Sequence, residues 1–409
     1  MVRELPGRRI WMLGISKLAS SVQPSATLAA GAKARQLRAQ GVTVFDFSLG
    51  EPDFPTPAHI CDAALAAMKS GQTHYTPAQG TAELRSAVSR WYKKFYQLEC
   101  TADQVIVSNG AKHSIHNALA TLVGPGDEVI IPTPYWVSYS DLVLMTGAKP
   151  VLIPGSMANG FKVSAEQIKS AITSNTKLLL LNSPSNPTGA VYSRKELEAI
   201  ADLVVATKIG VISDEIYEQL IYGDAQPTCF ATLRPELKDL VITISGVSKT
   251  YAMTGWRIGW AIGPDKVVKA MGNIQSQETS NPCSVSQAAA IAALDGPQEC
   301  VAEMRKEFHA RRDLVCKRLA SIPGIQCPVP PGAFYAFFDV SSFFGKSFGG
   351  KKVTDSASFC LLALEQAHVN LVQGSAFGAE GFARLSYATS TDILNKGIDK
   401  LQEWLKTAV

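Results

Sequence analysis

Between residues 105 and 262, seven short runs of almost unbroken apolar residues recur: Val105–Val107, Glu128–Ile131, Pro150–Ile153, Leu178–Leu181, Gly210–Ser213, Val241–Ile244 and Ile258–Ile262. Strands this apolar need cover on both faces, which is the condition of a mainly parallel sheet. Helical stretches lie between several of them, and two open with capping boxes, Ser164…Gln167 and Ser193…Glu196. Strand–helix alternation at this spacing predicts an α/β layer with a mostly parallel seven-stranded sheet sandwiched by helices. Helices are expected ahead of it over Ala58–Lys69, with Thr56 as N-cap and Pro57 at the first helical position, and over Ala82–Tyr96. A long amphipathic stretch, Glu299–Ala320, ends the alternation. Isolated strands (Ala333–Phe338, Val369–Val372, Ala383–Tyr387) and two helices follow, with Ser341–Lys352 read as one surface loop. That change marks a smaller α+β domain, with which the helix of Ser25–Ala39 is expected to pack. The expected division is a large domain over 49–297 and a discontinuous small domain over 1–48 and 298–409.

Composition excludes several classes. With 46% apolar and 18% charged residues over 409 positions, the chain is globular and large enough to fold without staples. A net charge of +4 is too small to predict nucleic-acid binding. No apolar run approaches the ~20 residues of a membrane span. The basic-then-apolar Arg8–Leu13 is broken early by Gly14 and Ser16-Lys17, so no secretory signal is read there. Eight cysteines, none in Cys-x-x-Cys spacing, suggest a reducing compartment, so a cytoplasmic location is expected. His113 and His116 have a metal-like spacing but no third ligand nearby. Gly345–Lys352 imitates a phosphate-binding loop, yet Lys352 stands where Ser or Thr is needed.

Open α/β sheets bind ligands at the carboxyl ends of their strands. Polar clusters follow four of the apolar runs: Ser108-Asn109-Gly110-Ala111-Lys112, Asn182 to Gly189, Asp214-Glu215-Ile216-Tyr217, and Ser245 to Lys249, with Arg257 eight residues further on. Together they offer a helix N-terminus with small residues for a phosphate, an amide, an acid with a phenol, and a lysine. That inventory suits pyridoxal phosphate, which needs a lysine, an acid at its ring nitrogen and a phosphate site. Singly, each element has a bland reading. A lone lysine is usually a surface residue, Asp214 serves equally as a helix N-cap, and Asn186-Pro187-Thr188-Gly189 is usually a turn.

In their joint order these segments resemble the class I aminotransferases of fold type I. The resemblance rests on SLGEPDFPTP (48–57), YTPAQGTAELR (75–85), NGAKHS (109–114), PTPYWVSY (132–139), NSPSNPTGAVY (182–192), SDEIYE (213–218), SGVSKTYAMTGWRIGWAIGP (245–264) and ARLSYATS (383–390). It is nearest to the bacterial aspartate/prephenate branch. The resemblance implies that Lys249 forms the Schiff base and shuttles the proton, and that Asp214 keeps the ring nitrogen protonated. It implies that Tyr217 and Asn186 bond the ring oxygen and that Trp136 stacks on the ring. Arg257, Ser248 and the backbone of Gly110, Ala111 and Lys112 would hold the phosphate, and Tyr75 would reach the phosphate of a partner subunit. Arg384 would clamp the substrate α-carboxylate against Gly50. Lys112 and Thr27 are tied to dicarboxylic substrates; Lys112 as a surface residue and Thr27 as an N-cap are the competing readings. The implied enzyme is a homodimer that transaminates L-aspartate and 2-oxoglutarate, with prephenate as a further candidate acceptor, acting on small molecules with no nucleic acid or membrane. The alternatives are an aminotransferase of aromatic or alanine specificity and, as a nearer rival of another class, a lyase on the same scaffold. A cofactor-binding regulator is less expected, because few residues precede the matching segments.

Overall fold

A computed structural model describes residues 14–22 and 24–409, so the Arg8–Leu13 stretch lies outside the described residues. Helices α1 (Lys17–Ser21) and α2 (Ala26–Ala39), strand β1 (Phe45–Asp46) and helices α3 (Ala58–Lys69) and α4 (Ala82–Tyr96) come first. Strand and helix then alternate through β2 (Val105–Ser108), α5 (Ala111–Leu122), β3 (Glu128–Thr133), α6 (Ser138–Met145), β4 (Lys149–Pro154) and α7 (Ala165–Ala171). The series continues with β5 (Thr176–Asn182), α8 (Arg194–Thr207), β6 (Gly210–Asp214), β7 (Val241–Gly246), the one-turn α9 (Val247–Thr250) and β8 (Gly259–Ile262). Three helices follow, α10 (Asp265–Glu278), α11 (Ser284–Asp295) and α12 (Glu299–Ala320). The chain ends with β9 (Tyr335–Asp339), β10 (Ser347–Phe348), β11 (Lys351–Lys352), α13 (Ser356–Ala367), β12 (Val369–Asn370), β13 (Val372–Gln373), β14 (Phe382–Ser386) and α14 (Thr391–Leu405).

All seven apolar runs become one sheet, in the order β2-β8-β7-β6-β5-β3-β4. Only β8 is reversed, pairing antiparallel with β2 and β7. Successive leucines of β5 serve opposite faces, as a strand's period of two requires. Leu178 and Leu180 pack with Ile115, Leu119 and Leu142, while Leu179 and Leu181 pack with Leu197, Ile200 and Val204. Each fully buried leucine contributes roughly 1.5–3 kcal/mol. The topology brings the carboxyl ends of β2, β5, β6 and β7 and the start of β8 to one edge, where ligands of such sheets bind.

The C-terminal part forms a second core around the antiparallel sheet β13-β14-β9. The segment before the large sheet joins it: Phe45 and Asp46 of β1 pair with Val369 and Asn370 of β12, and Ala34 packs with Leu364.

Local details depart from expectation at three places. Thr56 is not a helix cap; its hydroxyl donates to the Ala252 carbonyl (2.9 Å) and accepts from the Trp256 indole (3.0 Å), so α3 starts one residue after Pro57. The expected strand Val369–Val372 is split, its halves pairing with β1 and with β14. Ser341–Lys352 is not a plain loop but a 3-10 turn at Ser341–Phe343 and the β10–β11 hairpin, held because Phe343 and Phe348 are buried in the second core. Both anticipated capping boxes form.

Candidate active site

A cleft of about 320 Å³ opens where the edge of the large sheet meets β9, β14 and the first turn of α2. It is lined by Thr27, Gly50, Ala111, Lys112, Trp136, Asn186, Asp214, Tyr217, Ser248, Lys249, Arg257 and Arg384. Gly110 stands beside it as the N-cap of α5. Tyr75 does not; its side chain is 92% exposed on the surface of this single chain.

Lys249 sits on α9, directly after β7, and its Nζ donates to the Gly50 carbonyl. Burial pushes its amine down to about 8, helped by Arg257 and Arg384 and opposed by Glu51 and Asp214. Asp214 is the last residue of β6 and not a helix cap. Its Oδ2 accepts from the Tyr139 hydroxyl (2.6 Å) and its Oδ1 from the Ile216 N–H (3.2 Å). Burial pushes the Asp214 carboxyl up to about 6, against the pull of those two donors and of Lys249.

Arg384 projects from β14 and is 1% exposed. It donates to Asn186 Oδ1 (2.8 Å) and to the Ser48 carbonyl (2.6 Å), while its buried Nε has no partner among the described residues. Tyr217 and Tyr335 share a hydroxyl contact of 2.7 Å. A Cβ on Gly50 would lie 2.5 Å from the Tyr335 hydroxyl, so that position excludes larger residues.

The opening turn of α5 faces Arg257, whose Nη1 donates to Thr254 O (2.9 Å) and Nη2 to Asn109 O (3.3 Å). Gly110 has φ +86°, and a Cβ there would lie 2.2 Å from Arg257 Nη2. The N–H groups of Ala111 and Lys112 belong to the first helical turn, which has no intrahelical acceptors. Lys112 places its Nζ 4.9 Å from the Trp136 ring centre. Burial and Arg257 lower the basicity of that ammonium. Thr27 is not the N-cap of α2, since that position is Ser25.

Residues 42–401 match the sequence profile of the family described as Aminotransferase class I and II. The chain belongs to this family. It is 46% identical to the aspartate/prephenate aminotransferase of Cereibacter sphaeroides, over 96% of this chain and 98% of that one. It is 44% identical to the aspartate aminotransferase of Bacillus subtilis, over 96% and 99% of the two chains. The crystal structure of the Rhizobium meliloti aspartate aminotransferase superimposes with a TM-score of 0.94 at 42% identity, covering 97% of this chain and 100% of that one. This aminotransferase therefore has the fold type I architecture expected of it.

The cleft of this aminotransferase fits pyridoxal phosphate on its own chemistry. An unprotonated-capable amine, a buried carboxylate and a helix N-terminus against a guanidinium are the three groups the cofactor requires, and the chain brings them together. Sequence reasoning missed Tyr139, Tyr335, Glu51 and the Ser48 carbonyl. Tyr139 was visible only as the residue one helical turn after Trp136. The buried pair Glu215 and Glu218 also carried no signal. Glu215 Oε1 accepts from Ser213 Oγ (2.8 Å) and from the Phe230 N–H (3.0 Å). His113 and His116 both flank Glu278, at 3.5 and 3.1 Å. No group of three or more potential metal ligands occurs among the described residues. No described helix is long and apolar enough to cross a membrane.

Proposed function

We propose that this enzyme is a pyridoxal-phosphate-dependent aspartate aminotransferase, moving the amino group of L-aspartate to 2-oxoglutarate in two half-reactions and releasing oxaloacetate and L-glutamate. The observation that carries the reading is the convergence of Lys249, Asp214 and Arg384 on one cleft beside the Gly110–Arg257 cradle. The names of the relatives support the choice of aspartate. Prephenate as a second acceptor follows from the relatives named for both substrates.

Arg257, Ser248 and the N–H groups of Ala111 and Lys112 would hold the phosphate, and Trp136 would cover the ring. Tyr217 and Asn186 would bond the ring oxygen. Bound pyridoxal phosphate supplies an electron sink for the pair left when a bond at the substrate α-carbon breaks. The protein's residues do the rest. Asp214, kept ionised by Tyr139 and Ile216, holds a proton on the ring nitrogen. Lys249, with its amine near neutrality, takes the proton from the substrate α-carbon and returns it. Arg384 binds the α-carboxylate with its planar fork, and Gly50 leaves bare backbone beside it. Lys112 and Thr27 meet the distal carboxylate, which makes the cleft cationic at both ends. Tyr75, exposed here, is assigned to the cleft of a second copy, and the exposed apolar side chains of Leu65 and Met68 support a homodimer. We assign residues 49–297 to a large domain, 1–48 with 298–409 to a small one, and the enzyme to the cytoplasm.

The test is the visible spectrum of the purified protein supplied with pyridoxal phosphate. L-Aspartate should convert the yellow form to the colourless pyridoxamine form, and 2-oxoglutarate should restore it. A yellow protein unmoved by aspartate sinks the substrate assignment. Pyruvate or ammonia released without an oxo acid makes it a lyase. A protein that takes up no cofactor sinks the whole reading.

A further inference from the structure

His113 has no place in the mechanism above, yet it lies in the first turn of α5, next to the Asn109–Gly110 segment of the phosphate cradle. Its Nδ1 accepts a hydrogen bond from the Asn109 N–H (3.3 Å). The Asn109 carbonyl in turn accepts from Arg257 Nη2 (3.3 Å). Both backbone groups of Asn109 are therefore engaged, one by the imidazole and one by the guanidinium, immediately before Gly110. His113 Nε2 lies 3.5 Å from Glu278 Oε2.

We propose that His113 is a positioning residue that, as the neutral Nε2–H tautomer, holds the Asn109–Gly110 peptide in the geometry that receives the cofactor phosphate. The inference rests on the reading of Gly110 and Arg257 as the phosphate site. Only an unprotonated Nδ1 can accept from an amide. A proton on Nδ1 sets two donors face to face, and the Asn109 N–H loses its partner.

The titratable and charged groups around His113 are Glu278, at the end of α10, and His116, on the next turn of α5 and itself 3.1 Å from Glu278. Arg257 meets Asn109 from the carbonyl side. Burial and His116 favour the neutral imidazole, and Glu278 opposes them. Glu278 also offsets the charge of a protonated ring. What protonation leaves at the loop is then a lost acceptor and little added attraction for phosphate. Affinity for pyridoxal phosphate should accordingly fall as His113 gains a proton.

The experiment measures pyridoxal phosphate affinity of the cofactor-free enzyme from pH 5.5 to 8.5 by tryptophan fluorescence, for the wild type, His113→Asn and His113→Ala. Asparagine places an oxygen near the Nδ1 position and does not titrate. His113→Ala should bind about tenfold more weakly at pH 8, as expected for a half-buried N–H left without its partner. His113→Asn should recover most of that loss, and its affinity relative to wild type should rise as pH falls. Taking this ratio cancels the titration of the ligand and of Lys249. Nitrogen chemical shifts of the wild-type ring should report Nε2–H at pH 8. Wild-type affinity in His113→Ala, an acid dependence in His113→Asn equal to that of wild type, or the Nδ1–H tautomer overturns the proposal. A wild type that binds no pyridoxal phosphate overturns the phosphate reading instead.

Discussion

Burial pushes the Asp214 carboxyl towards its protonated form, and its assigned task needs it ionised. Tyr139 resolves that conflict by donating to Oδ2 at 2.6 Å. A hydrogen bond to a charged group is worth roughly 1.5–3 kcal/mol, on the order of one to two pH units. Tyr139→Phe removes a donor that favours the ionised form, so the Asp214 pKa rises. The acid limb of the pH–kcat profile should therefore move to higher pH by on the order of one unit. An unmoved acid limb would show that Tyr139 does not tune Asp214. At this scale the candidate residues were partly legible. Asp214 and Lys249 each follow an apolar run and Arg257 stands directly before one, whereas Tyr139 and Tyr335 look like ordinary core aromatics. Their roles depend on neighbours 75 and 118 residues away in sequence, Asp214 and Tyr217.

Among elements, the decisive contact is between the reversed strand β8 and the N-terminus of α5. Gly259 opens β8, and a Cβ there would lie 2.2 Å from the Ala111 nitrogen and 2.8 Å from the Ala111 Cα. Backbone cannot yield as a flexible side chain does, so even one methyl group must displace the helix that carries the cradle. Gly259→Ala should lower Tm, with a cost of about 1–3 kcal/mol for overpacking, and should weaken pyridoxal phosphate binding. Calorimetry with a cofactor titration checks both. Intact affinity in a destabilised variant would separate the helix position from the site. The elements themselves were legible because their signals are local: apolar runs, periodicity and capping boxes act within a few residues. Thr56 misled because a Thr-Pro pair carries the cap signature wherever it stands, and only the packed Trp256 and Ala252 offered its hydroxyl better partners.

For the whole molecule, stability is tied to acids buried behind the cleft. Burial pushes the Glu215 carboxyl up to about 7, with Asp214 adding, against the Phe230 N–H and Ser213. An unfolded glutamate titrates near ~4.3, so the folded state holds the proton more tightly. Stability from this group is present below the unfolded pKa and is lost as pH rises towards 7. Glu215→Gln keeps one oxygen for Ser213 and Phe230 and removes the titration. The variant's Tm relative to wild type should rise between pH 5 and pH 8, by the equivalent of at most roughly 3 kcal/mol. Parallel Tm curves for the cofactor-free proteins would mean that Glu215 does not titrate in this window.

The sequence by itself determined the layers and their order. An unbroken apolar strand can be buried only between two covers, and the polar residues after such strands had to meet at one sheet edge. Tertiary structure alone decided that Arg384, on a strand of the second core, bonds Asn186 and Ser48 at 2.8 and 2.6 Å. It also decided that Val369–Val372 serves two sheets and that His113 faces Asn109 and Glu278. Periodicity records which face of an element is buried. It carries no information on which distant polar group lies opposite, because that is set by how separately formed elements pack.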